Sequence, residues 1–256
     1  HDALDPFAGL AFVAAVTTRV KLHTNIVVLP YRNPFLTAKS AATLQVLSGG
    51  RLILGVGAGY QRAEFDALGV NMKERGALMD EALETIRLAW KGGPVVKEGR
   101  HFKAIGNEPR PVPDPPPPIW IGGGSDKAVE RAARFGDGWV PFFSVPTNDL
   151  NARASSVSSI AELGQKIARL KEMRAGMGRT GPFEICSGAP LHVRPDSPED
   201  LPAYGDALHE LEEIGVDWVR VALPARSRAE YLDKVAWFGE EVMRKFRQQP
   251  KCAAGD

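Results

Sequence analysis

Cysteine is scarce in this chain: Cys186 lies in an apolar run and Cys252 in a polar tail, and there are no others in 256 residues. Two isolated thiols make neither a disulfide framework nor a metal spacing, which fits a reducing compartment and sets the expectation of a cytoplasmic protein. Excess charge is absent too, since 32 Lys and Arg stand against 31 Asp and Glu for a formal charge of +1. That balance offers no electrostatic footprint for nucleic acid, and no basic run is interleaved with aromatics. No apolar stretch approaches the roughly 18 residues of a membrane span, and no signal-like segment is present. No two of the five histidines fall at metal-ligand spacing. No Gly-x-Ser-x-Gly elbow or Ser/His/Asp set marks a hydrolase.

What the chain does have is an alternation of apolar strands and amphipathic helices. With 44% hydrophobic and 25% charged residues, it suits one large α/β domain or two small ones and buries a core without staples. Residues 3–16 read as a helix capped by Asp5 and opened by Pro6. A strand follows over 20–29, then a helix over 34–47 closed by Ser48, Gly49 and Gly50, and a strand over 51–56. A helical stretch runs on to Trp90, interrupted near 69–73. Its charged face carries Glu74, Arg75, Asp80, Glu81 and Arg87, read as paired along the helix. Leu78, Ala82, Ile86 and Trp90 make its apolar face. Residues 92–118 break the rhythm, opened by Gly92, Gly93 and Pro94 and shut by four prolines, with a hairpin over 95–102 tipped at 97–100. Strands are expected next from Ile119 and over 138–141, 183–193 and 218–223, with helices over 126–135, 159–176, 199–214 and 227–247. The Ser-rich residues 142–158 read as a mobile loop. The strands are apolar on both faces, as buried parallel strands are. Six strand–helix units behind a leading helix leave two architectures open, a doubly wound sheet and a (β/α)8 barrel.

The stretch Ile119–Asp126 carries the strongest chemical signal. An apolar run ends in Gly122, Gly123 and Gly124, and Ser125 and Asp126 begin a helix. Glycine lets a ligand approach the backbone, and the first amides of a helix are unpaired and partly positive. Together they make an anion seat. The other reading of the same residues is a tight turn with nothing bound. No Lys-Ser/Thr pair follows, which argues against a nucleoside triphosphate, and contiguous glycines do not match the dinucleotide fingerprint G-x-G-x-x-G.

Five segments in series (Leu4–Arg19, Leu22–Pro34, Ala41–Arg51, Gly55–Phe65 and Ile119–Gly124) resemble the bacterial luciferase-like monooxygenase family, in particular its branch that uses the deazaflavin coenzyme F-420. The resemblance runs from residue 3 to about 245 and rests on the order and spacing of motifs that are individually weak. It implies an α/β fold, a (β/α)8 TIM barrel of luciferase-like type forming one domain over 1–256, with 92–118 as an insertion after strand 4. It also implies that the family's first β-α-β lies before His1 and is missing from the chain. The expectation is that those residues exist in the native protein and include the catalytic residue, so no catalytic role passes to His1.

The resemblance further implies where a cofactor binds. Thr24, Asn25 and Ile26 would form a bulge behind the ring, with a cis peptide at Asn25–Ile26. Gly57, Ala58, Gly59 and Tyr60 would contact the cofactor, and Gly122, Gly123, Gly124 and Ser125 would hold its phosphate. Taken without the family, the first group is an ordinary strand end and the second a turn. Tyr60 stands where the branch that oxidises a sugar phosphate has an acid, which argues against that substrate. Trp139, Phe142 and Phe143 are either barrel packing or a substrate wall. His23 reads as a packed core histidine and His209 as a solvated one. Three functions stay open: hydride transfer between F-420 and a small organic substrate, a monooxygenase using FMN reduced by a separate reductase, and a non-catalytic cofactor-binding homologue. The family commonly forms homodimers, and helix 34–47 is compatible with such an interface, though a core-facing helix has the same pattern.

Overall fold

The computed structural model describes residues 4–143, 156–190, 195, 198–244 and 246. Helix α1 (Pro6–Val16) begins where local chemistry favours it. The Asp5 carboxylate accepts from the amides of Phe7 and Ala8, and Pro6 has no amide to leave unpaired. Asn33 and Pro34 repeat the device for α2 (Pro34–Leu47). That helix closes at Gly49 and Gly50, whose positive φ lets their amides reach the carbonyls of Val46 and Gln45. The strand expected over 20–29 is split into β1 (Leu22–His23) and β2 (Val27–Val28). Between them the Asn25–Ile26 peptide is cis, as the resemblance implied.

Next come β3 (Leu52–Gly57), α3 (Arg62–Ala67), a single 3-10 turn at Met72–Glu74 and α4 (Arg75–Ala89). The insertion holds a hairpin, β4 (Val95–Glu98) and β5 (Lys103–Asn107). Its turn lies beyond the expected 97–100. Glu81 on α4 accepts from the amides of His101 and Phe102 and fixes the turn there. Asp80 likewise reaches across to Arg131. The two carboxylates therefore tie α4 to its neighbours, and the expected pairing along the helix is not what they do. The remaining elements are β6 (Ile119–Gly122), α5 (Asp126–Phe135), β7 (Gly138–Val140), α6 (Ile160–Gly176), β8 (Glu184–Gly188), α7 (Leu201–Glu213), β9 (Trp218–Arg220) and α8 (Arg228–Phe238). Strand β9 is shorter than expected because its pairing to β8 stops at Gly188 and Arg220. The last helix widens into a π turn over Gly239–Arg244. Most of the loop expected over 142–158, together with His192 and Val193, lies outside the described residues.

Every neighbouring pair in the main sheet is parallel, and the order is sequential: β1 and β2 share one position beside β3, followed by β6, β7, β8 and β9. A doubly wound sheet reverses its strand order at a switch point. This sheet never does, and it curls as a barrel wall. Alternation along each strand then separates two layers. Leu52, Leu54, Val56, Ile119, Ile121, Trp139 and Ile185 pack outward against the helices in the main core. Ile53, Trp120, Val140 and Cys186 form a small inner cluster, with His23 stacked edge-on against Trp120 at 4.9 Å.

Candidate functional site

The carboxyl ends of β1/β2, β3, β6, β7, β8 and β9 converge on one rim, and its geometry starts from the split strand. On this edge β3 offers the amide and carbonyl of Gly55 to a neighbour whose backbone has bulged away. The Thr24 hydroxyl fills the gap, donating to the Gly55 carbonyl at 2.9 Å and accepting from the Gly55 amide at 2.9 Å. Thr24 is 1% exposed and is not among the residues that line the cleft or the cavity beside it, and its hydroxyl braces the bulge. Past the bulge, the Ile26 side chain enters the barrel mouth between two glycines. A Cβ on Gly57 would lie 2.1 Å from Ile26 Cδ1, and one on Gly122 would lie 2.8 Å from it. Those two glycines exist to admit Ile26, which forms the floor of the cleft.

The glycine turn after β6 is held from below. Trp139, fully buried, donates its indole N–H to the Gly123 carbonyl at 2.7 Å, and the Gly123 amide bonds the Val140 carbonyl. Gly123 has φ of +110°. Ser125 caps α5 by accepting from the Ala128 amide. Gly122, Gly123 and Ser125 line the cleft, whereas Gly124 is covered: a Cβ there would come within 2.8 Å of the Ser156 carbonyl carbon and 2.9 Å of Val157. Asp126, beside the helix start, is held below the usual carboxylate range by the Lys166 hydrogen bond and charge, with Arg169 adding to it.

The resulting cleft, about 440 Å³, runs from Asn25 and Ile26 across Gly57, Ala58, Gly59 and Tyr60 to the start of α5. Its lining also includes Tyr31, Glu64 and Arg131. Tyr31 donates to Glu64 at 2.9 Å. Burial, with that carboxylate beside it, pushes the Tyr31 phenol up to about 12. Arg131 is paired with Asp80. A second cavity of about 350 Å³ shares Asn25, Ile26, Tyr60 and Phe142 with the first and extends to Val140, Ala189 and Arg220. Phe142 therefore sits at the junction, while Trp139 belongs to the core. Arg220 was legible as the one charge inside the apolar run 218–223.

His23 lies beneath this rim with its Nε2 buried and unpartnered among the described residues. Burial, helped by the nearby Arg220 charge, lowers it to about 4, so it is neutral at neutral pH. The packed-core reading of His23 fits that environment. His209 is half-buried with its ring 4.8 Å from Phe246, not solvated as expected. Cys186 is a buried free thiol pushed up to about 11 by burial. Among the described residues no helix is long and apolar enough to cross a membrane.

A sequentially ordered parallel barrel wall, with a cleft at its carboxyl rim and a helix N-terminus at one end, defines a protein of the (β/α)8-barrel class. Residues 1–211 match the family described as luciferase-like monooxygenase, and the chain belongs to that family. An uncharacterized protein of Mycobacterium tuberculosis is 35% identical over 182 residues, 71% of this chain and 58% of the relative. The chain thus spans less than two thirds of that relative's length. The F420-dependent glucose-6-phosphate dehydrogenase of Nocardia farcinica is 35% identical over 138 residues, 52% of this chain and 41% of that one. Among solved structures, the monooxygenase RslO1 from Streptomyces bottropensis superposes with a TM-score of 0.77 at 21% identity, over 94% of this chain and 83% of its own. The coenzyme F420 dependent tetrahydromethanopterin reductase from Methanopyrus kandleri gives 0.72 at 18% identity, over 96% and 88%.

Proposed function

We propose that this protein is an oxidoreductase that moves a hydride between coenzyme F-420 and a small organic substrate. The observation that carries the reading is the single cleft joining the Ile26 floor to the Ser125-capped start of α5. Its shape suits a flat ring at one end and a phosphate at the other. Asn25, Ile26, Gly57, Ala58, Gly59 and Tyr60 would hold the ring, and Gly122, Gly123 and Ser125 with the first amides of α5 would hold the phosphate. When bound, the deazaflavin supplies the hydride chemistry. The protein's own residues bind, orient and exclude water: Ile26 backs the ring, Phe142 and Val140 wall off the substrate side, and Tyr60 and Asn25 offer neutral hydrogen bonds. Glu64 is engaged by Tyr31 and Arg131 by Asp80, so neither is a free acid or base. The relative named for F420-dependent chemistry supports the cofactor choice, and Tyr60 weighs against a sugar phosphate as substrate.

Helices α1 and α2 pack together and expose apolar residues on the outside, with Phe12 74% and Leu36 69% exposed. That face supports a homodimer, since exposed apolar patches mark interaction sites.

The test is a titration of the full-length protein with F-420 and, separately, with FMN, following tryptophan fluorescence. Saturable binding of F-420 with weak or no response to FMN is expected, followed by F-420 reduction with a substrate panel. Tight binding of FMN alone would point to a reductase-fed monooxygenase. F-420 binding with no turnover across the panel would point to a cofactor-binding homologue.

A further inference from the structure

Arg220 ends β9 on the inner face of the curled sheet, at the rim. It lines the substrate-side cavity with Ile26, Tyr60 and Phe142. It also lines an adjoining cavity of about 600 Å³ bounded by Ala189, Leu223 and Tyr204. The guanidinium leans toward β8: a Cβ on Gly188 would lie 3.9 Å from Arg220 Nη2. Its charge reaches inward as well, helping to lower His23 and opposing the upward push on Cys186. No carboxylate lines either cavity among the described residues, and Arg220 has no hydrogen bond or ion pair there.

Tyr204, on α7, is 2% exposed and lines the outer cavity. Its ring packs edge-on against Phe238 at 6.1 Å. Among the described residues its hydroxyl has no hydrogen-bond partner. Burial pushes the phenol up to about 12, so it stays a neutral donor. A cation and a hydroxyl, neither paired among the described residues, thus share a cavity whose other described walls are glycine, proline, alanine, valine and leucine.

We propose that Arg220 and Tyr204 receive the oxyanion of an organic acid whose apolar body lies toward Ile26 and Phe142, so that the substrate is an apolar carboxylate. A guanidinium presents parallel donors that match a carboxylate. The two cavities fall within the size range of small-molecule sites. Assigning the carboxylate as the reacting substrate rests on the proposed oxidoreductase reading; the anion site itself does not.

The experiment titrates the full-length protein, without cofactor, with aliphatic and aromatic monocarboxylates and their matching neutral amides. Calorimetry is the readout, with tryptophan fluorescence as a check because Trp218 is two residues from Arg220. At least one carboxylate should bind about tenfold or more tightly than its amide, the discrimination expected of a charge-assisted hydrogen bond. Arg220→Gln should erase that preference and Arg220→Lys keep part of it. Tyr204→Phe should weaken the carboxylate severalfold and leave the amide unchanged. The melting temperature of each variant is measured alongside, so that a lost preference is read only from folded protein. No carboxylate preferred over its amide, or a preference that survives Arg220→Gln, overturns the proposal. Because no cofactor is present, failure of F-420 binding in the separate titration leaves this result standing, and the reverse also holds.

Discussion

Replacing Thr24 with valine gives the most direct test of how the cleft is braced. Valine keeps the shape of threonine and removes only the hydroxyl, which makes both of its 2.9 Å bonds to Gly55 in a fully buried position. No strand backbone lies close enough to replace it, since the chain bulges at Asn25–Ile26. Each bond is worth about 0.5–1.5 kcal/mol net, and a buried partner left unsatisfied costs about 1–3 kcal/mol. The added methyl recovers part of this, so Thr24→Val should destabilise by about 2–4 kcal/mol. Thr24→Ser keeps the hydroxyl and loses one methyl, costing about 1 kcal/mol. Urea unfolding reads both as shifts in midpoint at constant slope. If Thr24 were instead a ligand contact, the valine variant would unfold within about 0.5 kcal/mol of wild type and lose cofactor affinity. That outcome, or a serine variant as unstable as the valine one, refutes the bracing argument.

Three further outcomes follow from the same geometry. His23 titrates near 4 when folded against 6.5 when unfolded. The unfolded chain therefore takes up the proton first, so this contribution is complete above about pH 6.5 and is lost as pH falls toward 4. It amounts to about 2–3 kcal/mol of acid sensitivity, which His23→Gln should lack when stability is measured at pH 7 and at pH 4.5. Trp139→Phe removes the 2.7 Å bond to the Gly123 carbonyl and should lower stability by about 1–2 kcal/mol; if Gly123 holds cofactor phosphate, affinity falls with it in the fluorescence titration. Phe12→Glu with Leu36→Glu places charge on the exposed apolar face of α1 and α2 and should convert a dimer to a monomer in analytical ultracentrifugation; an unchanged mass would move the interface elsewhere.

Much of the fold was legible because its signals are local. Asp5 with Pro6, Asn33 with Pro34, and Ser48 with the glycines after it each satisfy their own helix end within a few residues. Ser125 does the same for α5. Alternation between strands and helices gave six units, and the resemblance supplied the barrel. Strand ends were less well placed: the 20–29 strand breaks at the bulge, and β9 stops where β8 stops pairing. Those limits are set by partners some thirty residues away, which no short window of sequence contains.

The candidate site divides in the same way. By itself the sequence determined the glycine turn, the capped helix behind it and a short apolar strand in front, since backbone freedom and cap chemistry are properties of adjacent residues. Only the tertiary structure decided what each glycine is for. Gly57 and Gly122 make room for Ile26, Gly123 is hung from Trp139, and Gly124 lies under Ser156 and Val157. Strand register brought Thr24 to Gly55 and Arg220 to Gly188, and the packing of α4 brought Glu81 to the hairpin turn. Sequence fixes which groups need a partner, but which partner they meet is set by strand register and side-chain packing across the barrel wall.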